Sequence, residues 1–166
     1  MGAAVDTTQW SDFGVAVIGA SAALAGLLVV AVSINIQPIL ANDTLPRRVV
    51  VALVSLTTPL VFSVVLLIPE APASVVGCSL LAIGLVCGSI LGVAASPSAR
   101  PPGRTLAEWL IAPVTPAVLL AGSIVLAGVG VLTESLGGLY WLPVAVIASV
   151  VGGLAQAWVL LIEILR

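Results

Sequence analysis

The sequence predicts an all-α fold, a polytopic transmembrane helical bundle with five spans. Three observations carry this expectation. The chain is 61% hydrophobic and only 7% charged, whereas a water-soluble domain carries about 25% charged residues, and so apolar a chain would expose large greasy patches in water. Five apolar stretches of at least 20 residues alternate with short segments rich in proline, glycine and charge. All five basic residues are arginines, and a five-span arrangement puts every one of them on the same side.

The first span is expected over 13–36, closed by Pro38, and the second over 49–68, stopped by Pro69. The third is expected over 73–95, ahead of Pro97, the fourth over 109–132 and the fifth over 140–162. A hydrocarbon core of about 30 Å needs about 20 residues at 1.5 Å rise each, so every stretch is long enough. None shows the strict alternation of a membrane barrel strand, and a helix satisfies its own backbone in lipid. The connection at 69–72 makes spans two and three a tight antiparallel hairpin, and 133–139, with Gly137 and Gly138, does the same for spans four and five. The longest connection, 96–108, contains Pro97, Pro101, Pro102 and Gly103 and reads as an irregular loop, so residues 1–166 form one transmembrane domain. Pro59 is expected to kink the second span, and Pro113 and Pro116 the fourth.

Charge sets the orientation. Arg47 and Arg48 lie between spans one and two, Arg100 and Arg104 between three and four, and Arg166 after five, while Asp6, Asp12, Glu70 and Glu134 lie on the opposite side. The positive-inside rule then places the N-terminus outside, the C-terminus in the cytoplasm and the chain in the cell membrane. Trp10, Tyr140 and Trp141 fall at the outer boundary and Trp109 at the inner one, the zone that amphipathic rings favour. The first twelve residues contain no Lys or Arg, so a cleavable signal peptide is not expected.

Several chemistries lack their residues. The chain has no His, which removes the common general base and metal ligand. Cys78 and Cys87 lie nine residues apart in one apolar run, about 13 Å along a helix and too far for a disulfide. No Asp pair lies within the spans, no glycine loop with Lys is present for phosphates, and no polybasic surface exists for nucleic acid. No catalytic residue, metal site or cofactor is therefore expected.

The candidate interaction residues are small or polar side chains within the spans. Gly19, Ala23 and Gly26 belong to a run of small residues over 19–26, which suggests that helix one is central and touched by several others. Gly84, Gly88 and Gly92 recur every four residues on one face of the third span, a groove for packing within the chain or between copies. Ser149 and Gly153 share a face of the fifth span with Ala145 and Ala157. At the arginine side, Ser33, Asn35 and Gln37 cluster near Pro38, where they can cap the carbonyl end of the first helix, the favoured reading, or bond across helices as a small polar binding site. Glu163 and Arg166 are expected at the same depth. Glu163 either pairs with Arg166 or turns inward to bond Ser33 or Asn35; the inward arrangement is the favoured one.

Trp10, Ser11, Asp12 and Phe13, the small-residue run over 19–27, and Ala31, Val32, Ser33, Ile34 and Asn35 together resemble a family of small bacterial multi-span membrane proteins. So do Leu45, Pro46 and Arg47, Gly138 to Trp141 in sequence, and the ending over 158–166. Members of that family are labelled modulators of the FtsH protease, a membrane-anchored quality-control enzyme. The resemblance implies a non-enzymatic integral membrane protein with a membrane protease as partner. Beside it stands the reading of an oligomeric channel or small transporter, motivated by a chain that is nearly all span and opposed by the shortage of polar lining residues. Self-association into a homo-oligomer fits either reading.

The orientation has a direct test. Pro102→Cys, in a chain with Cys78 and Cys87 replaced by Ala, is expected to react with a membrane-impermeant maleimide only after the cytoplasmic face is opened. Labelling from outside intact cells would reverse the topology.

Overall fold

The computed structural model describes residues 10–41, 44–94 and 114–164. Within them the chain forms α1 (Ser11–Ile34), the one-turn α2 (Ile36–Leu40), α3 (Leu45–Leu66), α4 (Ala73–Ala94), α5 (Thr115–Thr133), a 3-10 turn (Gly138–Trp141) and α6 (Leu142–Ile164). Five of these segments are long and apolar enough to cross a membrane, α6 together with its 3-10 turn, and the described residues contain no strand. The protein is a multi-pass all-α membrane bundle.

Local chemistry explains where the helix ends depart from expectation. α1 stops at Ile34 because Asn35 leaves helical geometry (φ −107°, ψ 25°). Its backbone N–H reaches Ala31 O and Val32 O, and its side-chain Nδ2 donates to Ala31 O at 2.9 Å. That closes the carbonyl end of the helix, which otherwise lacks partners. α3 starts four residues earlier than the apolar run, because Pro46 is tolerated in a first turn, where its missing N–H has no carbonyl to reach. Arg47 and Arg48 thereby join the first turn of α3. Pro116 is likewise a first-turn residue of α5 rather than a kink within a span. The expected start of the fourth span, including Pro113, lies outside the described residues. Between α5 and α6 the chain reverses through left-handed Glu134, Leu136, Gly137 and Gly138, with φ of 52°, 56°, 81° and 52°. Gly130 admits the reversal, since a Cβ there would stand 2.7 Å from Gly138 N.

α3, α4, α5 and α6 form a closed square, each packing on the next and α6 returning to α3, while α1 lies outside it against α3. The expectation of a central helix one is therefore corrected: 22% of the α1 span is buried against 50% of the α3 span. α1 buries only Gly14, Val17, Ser21 and Leu28. Its small residues fill so much of its circumference that their run marks no particular face. The square is filled by Phe62 from α3, Leu80 from α4, Ile124 from α5 and Leu142 from α6, all fully buried. A second cluster, Leu28, Ile39, Leu45, Val49, Leu56 and Leu160, joins α1, α2, α3 and α6 near the arginine-bearing end. At the opposite, acidic end Trp10 meets Phe13 and Tyr140 edge-to-face, with centroids at 5.6 and 5.4 Å. These contacts tie the start of α1 to the turn before α6.

α3 carries the one interior break in its own hydrogen-bond ladder. Pro59 has no N–H, so the carbonyl of Ser55, four residues back, loses its helical donor. The Ser149 hydroxyl of α6 donates to that carbonyl at 2.6 Å, in a fully buried bond. Thr57 and Thr58 donate to Leu53 O and Val54 O in the turn before the proline, at 2.8 and 2.6 Å. A freed carbonyl in lipid costs several kcal/mol unless something replaces the donor, and neighbouring helices commonly do so through Ser or Thr.

Ser149→Ala is expected to destabilise the folded bundle by about 1 kcal/mol, near the upper part of the range for interhelical hydrogen bonds in membranes. In a Pro59→Ala background the restored N–H takes over Ser55 O, and the same substitution should then cost well under half as much. A double-mutant cycle from reversible unfolding in mixed micelles measures the difference; equal losses in both backgrounds would show that the two residues act independently.

Candidate functional site

The glycine face of the third span is buried inside the chain only in part: Gly84 is buried, Gly88 half-buried and Gly92 exposed. α4 and α5 approach closely because their facing positions lack side chains. A Cβ added at Gly84 would come within 2.8 Å of Val125 Cγ2, 3.1 Å of Val125 N and 3.3 Å of Ala121 O. One at Gly88 would meet Ala121 Cβ at 3.3 Å, and at Gly92 nothing lies within 4 Å. The seam continues towards the acidic end through Gly77 and Gly128, where a Cβ on Gly128 would stand 2.9 Å from both Gly77 O and Leu81 N. Gly77 lies seven residues before Gly84, on the extension of the same helical stripe. Gly128 is set in its own small-residue run, and its partner is visible only in three dimensions.

The face of the fifth span also turns inward. Ser149 reaches Ser55 O on α3, and a Cβ on Gly153 would lie 2.6 Å from Leu56 Cδ2. Ala145 is completely buried between them and the core. On its other side α6 meets α5 at Gly152, where a Cβ would stand 2.7 Å from Pro116 Cβ.

α1 is different. Gly19, Ala23 and Gly26 are exposed together with Ala16 and Ala22, and nothing lies within 4 Å of a Cβ built on Gly19 or Gly26. These positions recur at three- and four-residue spacing, so they share the helix face opposite Gly14, Val17, Ser21 and Leu28. The bundle thus leaves one long strip of small residues uncovered. Trp158 on α6 is also exposed, at 68%.

The polar cluster expected at the arginine-bearing end does not bridge helices through its described members. Ser33 Oγ donates to Val29 O at 2.8 Å and Asn35 Nδ2 to Ala31 O, both on α1 itself. The Glu163 side chain and Arg166 lie outside the described residues. The structure instead brings two other polar groups together within the bundle. Ser55 and Gln156 line a crevice of about 10 Å³ with Gly152 and Pro116, a space on the scale of one water molecule. Gln156 is an amide in the middle of an apolar run, a signal that was present in the sequence. Ser63, one turn beyond Pro59, is wholly buried, and its hydroxyl has no partner among the described residues.

Comparison with protein-family models, curated proteins and solved structures returned no match for the chain.

The α4–α5 seam ranks a series of substitutions. Gly84→Ala is expected to cost about 1–3 kcal/mol, the usual cost of overpacking, Gly88→Ala less, and Gly92→Ala close to nothing. Gly88→Leu should separate α4 from α5 and lower the melting temperature in detergent sharply. Static light scattering alongside the melting curves checks the assignment, because a seam within one chain changes stability without changing the mass of the particle.

Proposed function

We propose that this chain is a non-enzymatic membrane partner protein, set in the cell membrane with its N-terminus outside, that docks on another transmembrane protein through α1. The observation behind this reading is the uncovered strip of Gly19, Ala22, Ala23 and Gly26 on the helix outside the square. In lipid, helices gain little from hiding apolar surface, because the tails are as apolar as leucine; close backbone approach over small residues is what favours association. The chain uses that device internally at Gly77, Gly84, Gly88 and Gly128. On α1 the same device has no occupant from the described residues.

A membrane-anchored protease of the FtsH type is the first partner to test, because residues 10–13, the small-residue run of α1 and the ending over 158–166 resemble proteins labelled as its modulators. Docking alongside such a protease alters what reaches it and asks no catalytic group of this chain. The channel reading draws less support: Phe62, Leu80, Ile124 and Leu142 fill the centre of the square, whereas a conduction path needs polar groups or a wide enough lumen.

A photoreactive phenylalanine analogue at position 23, illuminated in native membranes, is expected to give adducts with another membrane protein. The same group at position 90, on the lipid-facing side of α4, should give few. Adducts only with a second copy of the chain would replace the partner reading by homo-oligomerisation. Equal adduct yields from positions 23 and 90 would remove α1 as a docking surface.

A further inference from the structure

At the acidic end the described residues form an open groove of about 380 Å³ between the start of α1 and the reversal joining α5 to α6. Val131 and Leu139 give it an apolar floor; both are buried. Trp10 and Tyr140 form one corner, with ring planes at 76° and centroids 5.4 Å apart. Tyr140 is 77% exposed, so much of its ring is open to a ligand. Glu134 lines the same groove as the left-handed cap of α5, and the loop beyond it is held by a 2.7 Å hydrogen bond from Trp141 Nε1 to Leu136 O.

Two independent features specify the charge of an occupant. An exposed aromatic face attracts a cation through its ring quadrupole, and the largely exposed ring of Tyr140, held edge-to-face against Trp10, offers one. The described carboxylates on this side of the bundle are Asp12, Glu70 and Glu134, of which Glu134 lines the groove, whereas the described arginines, Arg47 and Arg48, stand at the far end of α3. The location specifies the rest. The groove lies where the apolar spans give way to the connecting turn, the depth of lipid headgroups and of interfacial Trp and Tyr. A small ammonium group tethered to an acyl-bearing backbone would meet the corner from the lipid side.

We propose that this groove binds the ammonium headgroup of a zwitterionic phospholipid from the adjoining leaflet, with the cation against Trp10 and Tyr140 and beside the Glu134 carboxylate. The phosphate of the same lipid remains at the rim, away from Glu134. This site is separate from the α1 strip, and its occupant is a lipid rather than a protein.

The full-length protein, purified in detergent and titrated with phosphatidylethanolamine or phosphatidylglycerol of identical acyl chains, tests this by native mass spectrometry. Retention of phosphatidylethanolamine should exceed that of phosphatidylglycerol about threefold or more, the scale of an exposed cation–π contact with its flanking charge. Glu134→Gln and Tyr140→Ala should each remove most of that preference, while Tyr140→Phe, which keeps the ring face, should retain it. Glu134 is exposed and Gln is nearly isosteric, so this variant should fold normally, and its melting temperature serves as the control. Less than threefold discrimination by the wild type overturns the proposal, as does a preference that survives either Glu134→Gln or Tyr140→Ala or is lost in Tyr140→Phe.

Discussion

In the hydrocarbon interior no water can complete a hydrogen bond, so every backbone group must find its partner within the protein. α3 breaks that rule at Pro59 and depends on α6 to mend it, through the hydroxyl of Ser149 on the carbonyl of Ser55. Such a bond does more than satisfy a carbonyl. It fixes the depth and rotation of α6 relative to α3, because one atom on each helix must meet within hydrogen-bond distance. With that register set, Gly153, one turn along α6, falls on Leu56, and Ala145, one turn back, falls into the core. Gly152 then faces Pro116 at the start of α5. α3, which packs against α1, α4 and α6, is thus also the helix whose backbone requires a neighbour.

The remaining cohesion comes from close approach. Apolar side chains gain little by leaving lipid for protein, and what distinguishes a packed interface is the density of its contacts. α4 and α5 achieve it by removing side chains where the backbones meet, from Gly77 and Gly128 to Gly88 and Ala121. α1 rests on α3 through a sparser set, Gly14, Val17, Ser21 and Leu28. Thr58 on α3 and Cys87 on α4 add a contact of 3.4 Å between hydroxyl and thiol in the buried seam of the square.

The five spans were legible because length and hydropathy are nearly sufficient when lipid is the solvent. The ends were less so, because they turn on single residues: Asn35 closing α1, Pro46 opening α3, Gly138 starting a 3-10 turn before α6. Which helix is central was not legible at all. A run such as 19–26 has small residues on every side, and a pattern without a preferred face cannot say what it faces. Ser149 was readable as a member of a small-residue face, but its role depended on a carbonyl 94 positions away in sequence. Ser33 and Asn35 read either as caps of the carbonyl end or as partners across helices, and each donates to a carbonyl four residues back on α1. Local back-bonding of this kind competes with tertiary partners for Ser and Asn. Gln156 carried a signal as the lone amide of the fifth run, although only the fold reveals Ser55 beside it.

The uncovered face of α1 gains meaning from how the helix is held. At one end Trp10 packs on Phe13 and Tyr140; at the other Leu28 and, through α2, Ile39 join the cluster around Leu45, Leu56 and Leu160. These anchors stand on opposite sides of the exposed strip and use different chemistry, aromatic edges at one end and aliphatic packing at the other. A helix fixed at both ends presents its middle as an ordered surface. Association then orders few further degrees of freedom: Gly and Ala have no rotamers to lose, and the backbone is already helical. A bulkier strip of Leu or Met would hold a partner's backbone farther away and would give up rotamer freedom on contact. Small residues placed outside a bundle that is already closed contribute little to its own packing; under the proposed docking, their physical advantage is the close approach they would allow another helix.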